Sequence, residues 1–174
     1  MALSLYLQHE SEGRLAQLAR RTDILLEAAG TARSRRYPQA RRRSGPGEVL
    51  ALRQSWQVLH GLFTGTAWEG PAPANTLMAG GREIGASLGS GQPRLADARE
   101  TRAFADYVAP LCPYQLKDRV DPRRVARTRF YAAECGACPD LDELRETVAR
   151  DLPMLKAYLG RAASDGHGLL LWMM

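Results

Sequence analysis

The chain predicts an α+β fold: a single helix-rich domain over residues 1–174, with a small mixed β-sheet that includes the N- and C-terminal strands. Three observations carry that reading. Residues 3–8 alternate, with Leu3, Leu5 and Leu7 on one side and Ser4, Tyr6 and Gln8 on the other, the period of a strand with one buried face. The last stretch, Gly168 to Met174, is an almost unbroken apolar run of strand length. Between the two lie several amphipathic helical patterns and no internal repeat.

The elements follow in order. Leu15, Leu18, Ala19, Thr22, Leu25, Leu26 and Ala29 fall at helical spacing, so a helix is expected over Glu12 to Ala29, capped by Ser11 and ended by Gly30. Residues 31–47 contain Pro38, Gly45, Pro46 and Gly47 and almost no aliphatic side chain, which reads as a loop. A second helix is expected from Glu48 to Phe63, with Val49, Leu52, Trp56, Leu59, His60 and Phe63 along one stripe. Five glycines between Gly80 and Gly91 leave room only for a short strand or an extended loop. Asp97 and Glu100 have the spacing of a capping box and open a helix through Val108, stopped near Pro110. Short helical pieces are expected at Tyr114–Arg119 and Pro122–Arg129. Asp140 and Glu143 repeat the capping spacing and open the longest helix, to about Ala163, with a kink or break before Pro153.

The net charge of +5 points toward nucleic acid until it is located. Six arginines, Arg33, Arg35, Arg36, Arg41, Arg42 and Arg43, stand between Thr31 and Gly47 with no acidic residue among them, and without them the chain carries −1. The body is therefore near neutral and offers no broad basic face, which counts against a nucleic-acid partner. The apolar end of the chain is far short of the roughly 20 residues that cross a bilayer, and the N-terminus lacks the basic flank of a signal peptide. Three cysteines, an odd number, argue against a disulfide framework and for a reducing, cytoplasmic setting.

Candidate chemistry is sparse. His60 sits at the end of its helical stripe, followed by Thr64, Thr66 and Trp68. There it is either a base or ligand contact with two hydroxyl neighbours, or a packed imidazole donating to a backbone carbonyl. Gly89-Ser90-Gly91-Gln92-Pro93-Arg94 before a helix has the look of an anion-binding loop with Arg94 adding charge. The third glycine of the dinucleotide fingerprint is absent, however, and the Walker pattern with it, which leaves a simple turn as the alternative. Cys135 and Cys138 have the spacing of half a zinc site. The other thiol and imidazoles (Cys112, His9, His60 and His167) supply no second closely spaced pair, so no metal and no cofactor are expected.

The order of features resembles the YfbM-like bacterial proteins, catalogued as a domain of unknown function. The likeness rests on four places. They are the opening strand and amphipathic helix; Trp56-Gln57-Val58-Leu59-His60-Gly61-Leu62-Phe63-Thr64-Gly65-Thr66; Gly80-Gly81 leading to Gly89-Ser90-Gly91-Gln92-Pro93-Arg94; and Ala162-Ala163-Ser164-Asp165-Gly166-His167-Gly168-Leu169-Leu170-Leu171. It spans nearly the whole chain. Where the family usually shows Gly-Pro-Ala-Arg, this chain has Gly91-Gln92-Pro93-Arg94, and the arginine-rich segment and Cys135–Cys138 fall outside the pattern. The resemblance implies a compact mixed α and β fold and no established activity.

Two functions are weighed on this footing. The first is a non-catalytic bacterial protein-binding module of immunity or adaptor type, with Arg33, Arg35, Arg36, Arg41, Arg42 and Arg43 meeting another protein. The second is a small-ligand-binding protein or enzyme whose pocket gathers His60, Thr64, Thr66, Trp68 and Arg94.

Overall fold

The computed structural model of the chain describes residues 3–21, 48–53, 55–87, 90–121 and 140–174. Strand β1 (Leu5–Glu10) leads into helix α1 (Glu12–Arg20). After it come β2 (Val49–Leu52), α2 (Ser55–Thr64), the short α3 (Thr76–Ala79), β3 (Arg82–Glu83) and β4 (Arg94–Ala96). Helices α4 (Ala98–Val108), α5 (Pro113–Lys117) and α6 (Leu141–Ser164) precede the last strand, β5 (Gly168–Met173).

The result is the α+β architecture expected, helix-rich, with the first and last strands in one small sheet. Its order is β2-β1-β5-β4-β3, and each of the four pairings is antiparallel. β1 and β5 form the central pair, in register from Leu5 opposite Met173 to Glu10 opposite Gly168. The ladder continues one step further, where Ser4 N–H donates to Met174 O at 2.8 Å and Met174 N–H to Ser4 O at 3.1 Å.

The sheet is covered on both faces, which is why β5 is apolar at consecutive positions rather than alternating. Leu169 and Leu171 join Leu5, Leu7, Leu52 and the buried stripes of α2, α4 and α6 in the larger cluster. Leu170 and Trp172 turn the other way, onto Leu15 and Leu18 of α1 with Ile84 and Leu95. Tyr6 stacks on Trp172 at 5.4 Å on that second face. Gly168 opens β5 at a point where a Cβ would stand 2.4 Å from Ala96 O and 2.5 Å from Leu15 Cδ1, so the close approach of β4 and α1 requires glycine there.

Several boundaries differ from the sequence reading. The helix expected from Glu48 begins only at Ser55, and Val49–Leu52 pairs with β1 instead, because four apolar residues in a row satisfy either period. Arg94, read as the last residue of a turn, instead opens the strand Arg94–Ala96, wedged between β3 and β5. The capping box at α4 forms as expected: Glu100 N–H donates to Asp97 Oδ1 at 2.8 Å and Asp97 N–H to Glu100 Oε2 at 2.9 Å. At α6 the Asp140 carboxylate instead takes the N–H of Asp142, and the helix runs through Pro153 without a break. The far half of the first helix, the arginine-rich segment 31–47, the piece Pro122–Arg129, and Cys135 with Cys138 lie outside the described residues. Among those described, no helix is long and apolar enough to cross a membrane.

Candidate functional site

The residues expected around His60 come from α2, the turn behind it, and β4. Every residue of α2 from Ser55 to Gly61 is buried, and His60 is 0% exposed. Its Nε2 lies 3.5 Å from Thr64 Oγ1, while its Nδ1 is buried without a hydrogen-bond partner. Burial holds the imidazole down to about pKa 4, with the Arg94 guanidinium pushing the same way and the backbone of Glu69 opposing it. At neutral pH His60 is therefore an uncharged ring.

The two threonines are spent locally. Thr64 Oγ1 donates back to His60 O at 2.9 Å and accepts the N–H of Thr66 at 3.2 Å. Thr66 Oγ1 in turn donates to Glu69 O and accepts the N–H of Glu69 at 3.1 Å. They hold the turn that follows α2 in shape. Trp68 stands in that turn with 45% of its surface exposed.

Arg94 is buried within the sheet at 7% exposure. Its Nη1 donates to Gly80 O at 2.9 Å and Thr76 O at 3.3 Å, and Nη2 to Leu77 O at 2.9 Å. These carbonyls belong to α3 and its C-cap Gly80, and a helix end leaves carbonyls such as those of Leu77 and Gly80 in need of partners. The guanidinium therefore works as a C-terminal cap built from a side chain, and burial lowers its pKa to about 10. Desolvating the cation costs several kcal/mol, offset here by charge-assisted bonds to three carbonyls, of which that of Thr76 also takes the Gly80 N–H at 3.1 Å.

A second polar cluster, which sequence reasoning passed over, forms at the other end of β1. His9 continues the series Leu5 and Leu7 on the core-facing side of the strand, yet it is an imidazole, 1% exposed. Its Nδ1 lies 2.9 Å from Nδ1 of His167, and its Nε2 is buried without a partner. Its backbone N–H donates to Tyr158 Oη at 2.7 Å, and the two rings meet edge to face at 5.1 Å. Burial chiefly, then the nearby His167, lowers the pKa of His9; Glu48 and Asp165 act the other way.

The turn between α6 and β5 supplies His167. His167 N–H donates to Ala162 O at 2.9 Å and Gly166 N–H to Ala163 O at 3.2 Å, the paired closure of a helix end around a left-handed residue. Gly166 fills that position at φ +65°, and Asp165 and His167 flank it. One donor atom from each of His9, Asp165 and His167 lies within 4.8 Å of the others. No local motif announces this group: Asp165 and His167 share one turn, and only the β1–β5 pairing brings His9 to them.

A family model described as a domain of unknown function, DUF1877, matches residues 6–172. Among solved structures, the chain is similar to the crystal structure of YfbM, a protein of unknown function from Escherichia coli. The TM-score is 0.68 at 18% identity, covering 98% of this chain and 99% of that one. At that identity the likeness concerns the fold. No curated protein matches the chain.

Proposed function

The chain belongs to the DUF1877 family, whose description carries no activity, and from that premise we propose a non-catalytic bacterial binding module that acts through a protein partner, of immunity or adaptor type. The observation that carries this reading is the disposition of Arg94. Arg94, the cation expected to meet an anionic ligand in a pocket at His60, is bound to the carbonyls of Thr76, Leu77 and Gly80. The arginine excess at Arg33, Arg35, Arg36, Arg41, Arg42 and Arg43 is, by contrast, not needed by an otherwise near-neutral chain. Its charge suits an acidic protein surface. The odd number of cysteines supports a reducing, cytoplasmic setting.

Gentle affinity capture from the host, followed by native mass measurement, tests the proposal. A stoichiometric second protein is expected, and deletion of Arg33 to Arg43 should weaken its capture. A bare chain, or one loaded with a small molecule, would overturn the reading. Nucleic acid as the partner would instead show as affinity that falls steeply with salt.

A second reading has one observation in its favour. Exposed Trp68 stands in the turn that follows α2 and His60, a surface that a small ligand could use together with Thr64, Thr66 and Arg94. Under it, His60→Ala and Arg94→Ala abolish ligand binding while the melting temperature stays nearly unchanged.

A further inference from the structure

We propose that His9, Asp165 and His167 form a binding site for a divalent transition-metal ion of the zinc, cobalt or nickel class. The site lies at the end of the central strand pair, away from the His60 turn, and is independent of the partner reading above.

The geometry is the first support. Two imidazole nitrogens each about 2.0–2.1 Å from an ion stand about 2.9 Å apart at a right angle and about 3.3–3.4 Å apart at the tetrahedral angle of zinc. The two Nδ1 atoms are 2.9 Å apart. The carboxylate of Asp165 completes a set in which all ligand atoms fall within 4.8 Å of one another, so closing on an ion asks only for side-chain adjustment.

The chemistry of the pair is the second. Two neutral imidazoles facing each other through Nδ1 hold one proton between them: one ring donates and the other accepts. A metal ion takes the place of that proton, which moves to Nε2 of the donating ring, so both rings become neutral Nε2–H tautomers that ligate through their Nδ1 lone pairs, and Asp165 offsets part of the ion's charge. His9 can offer only this nitrogen, since Nε2 faces the interior with no partner. The ring is also held in place, by the bond from its backbone N–H to Tyr158 and by the edge-to-face contact with the Tyr158 ring. Such support is what metal-ligating histidines ordinarily receive from their surroundings.

The donor set decides the class of ion. Two nitrogens and one carboxylate suit zinc, cobalt and nickel, whereas calcium and magnesium demand oxygen. Three protein ligands leave positions for water or for a donor from another molecule. His167 is half-buried and Asp165 exposed, so the open side faces solvent.

The test is calorimetric titration of the chelator-stripped protein with zinc chloride, and of a parallel sample with cobalt chloride followed by absorbance. One equivalent is expected to bind and to raise the melting temperature, and magnesium chloride should do neither. His167→Gln should abolish binding. Asp165→Asn, at an exposed position that leaves folding undisturbed, should weaken it more than about tenfold. Cys135→Ser with Cys138→Ser should leave it unchanged, and the cobalt spectrum should lack a thiolate charge-transfer band. The proposal fails if no zinc binds, if Asp165→Asn or a folded His167→Gln binds as the unaltered chain does, or if binding disappears with the two cysteines. His60, fully buried at a separate site, is the one other histidine of the three in the chain, so loss on changing His167 assigns the ligand.

Discussion

The hydroxyl of Tyr158 accepts the backbone N–H of His9 at 2.7 Å, at the point where β1 runs past the end of β2. The same oxygen lies 3.0 Å from Leu7 O and 2.8 Å from Glu48 O, carbonyls to which it can donate. A side chain of α6 thus stands in for the missing rung of the ladder, and burial drives its phenol pKa upward. One atom of a helix closes the hydrogen-bond accounts of two strands.

Tyr158→Phe removes that atom and leaves the buried N–H of His9 with no acceptor. The expected cost is about 1–3 kcal/mol, read as a lower urea midpoint with unchanged slope. A midpoint equal to that of the unaltered chain would mean that water takes over the role.

Arg94→Met keeps the aliphatic stem and deletes the cap on α3. Loss of about 3 kcal/mol is expected, because the carbonyls of Leu77 and Gly80 are left unpaired. Arg94→Lys should recover only part of it, since a single ammonium cannot reproduce a planar fork. If Arg94→Met melts with the unaltered chain, the guanidinium is not structural, and the ligand reading gains.

Stability should fall in mild acid through His60. Its folded pKa is near 4, well under the ordinary 6.5, so between these values the unfolded chain binds a proton that the folded chain refuses. The contribution is complete above about pH 6.5 and declines as pH drops toward 4, by up to about 3 kcal/mol. Thermal melts at pH 7, 5.5 and 4.5 should show the decline, and His60→Gln should flatten it. An equal slope in both proteins would place the acid sensitivity elsewhere.

Gly166→Ala puts a Cβ on a residue at φ +65°. A cost of about 1–2 kcal/mol is expected, together with weaker zinc binding, because the turn sets Asp165 and His167 side by side. A variant that melts lower and yet binds zinc undiminished would separate the turn from the site.

Much of the fold was legible in the residue pattern, and the misses share a cause. Period two at Leu3–Gln8, the apolar run at Gly168–Met174 and the Asp97–Glu100 spacing are local signals, and each produced its element. Val49–Leu52 was claimed by the neighbouring helical stripe, since a short apolar run has no period of its own. Arg94 drew attention as a cation beside glycines. Its partners are backbone carbonyls of α3, which no side-chain pattern advertises. His9 and His167 lie at opposite ends of the chain, and only the strand pairing brings them together.

The central β1–β5 pair also governs the order in which the molecule can be completed. β1 is synthesised well before β5, with the other described strands between them in chain order, so among these strands β1 has β2 alone for a neighbour until β5 emerges. Until the last strand arrives, β1 and β4 each present a bare backbone edge, the kind that recruits other chains. Closure through so distant a pairing is also intrinsically slow. A copy whose translation stops before Gly168 would lack the strand that joins the two halves of its sheet, and its open edges would make it a substrate for chaperones or for aggregation.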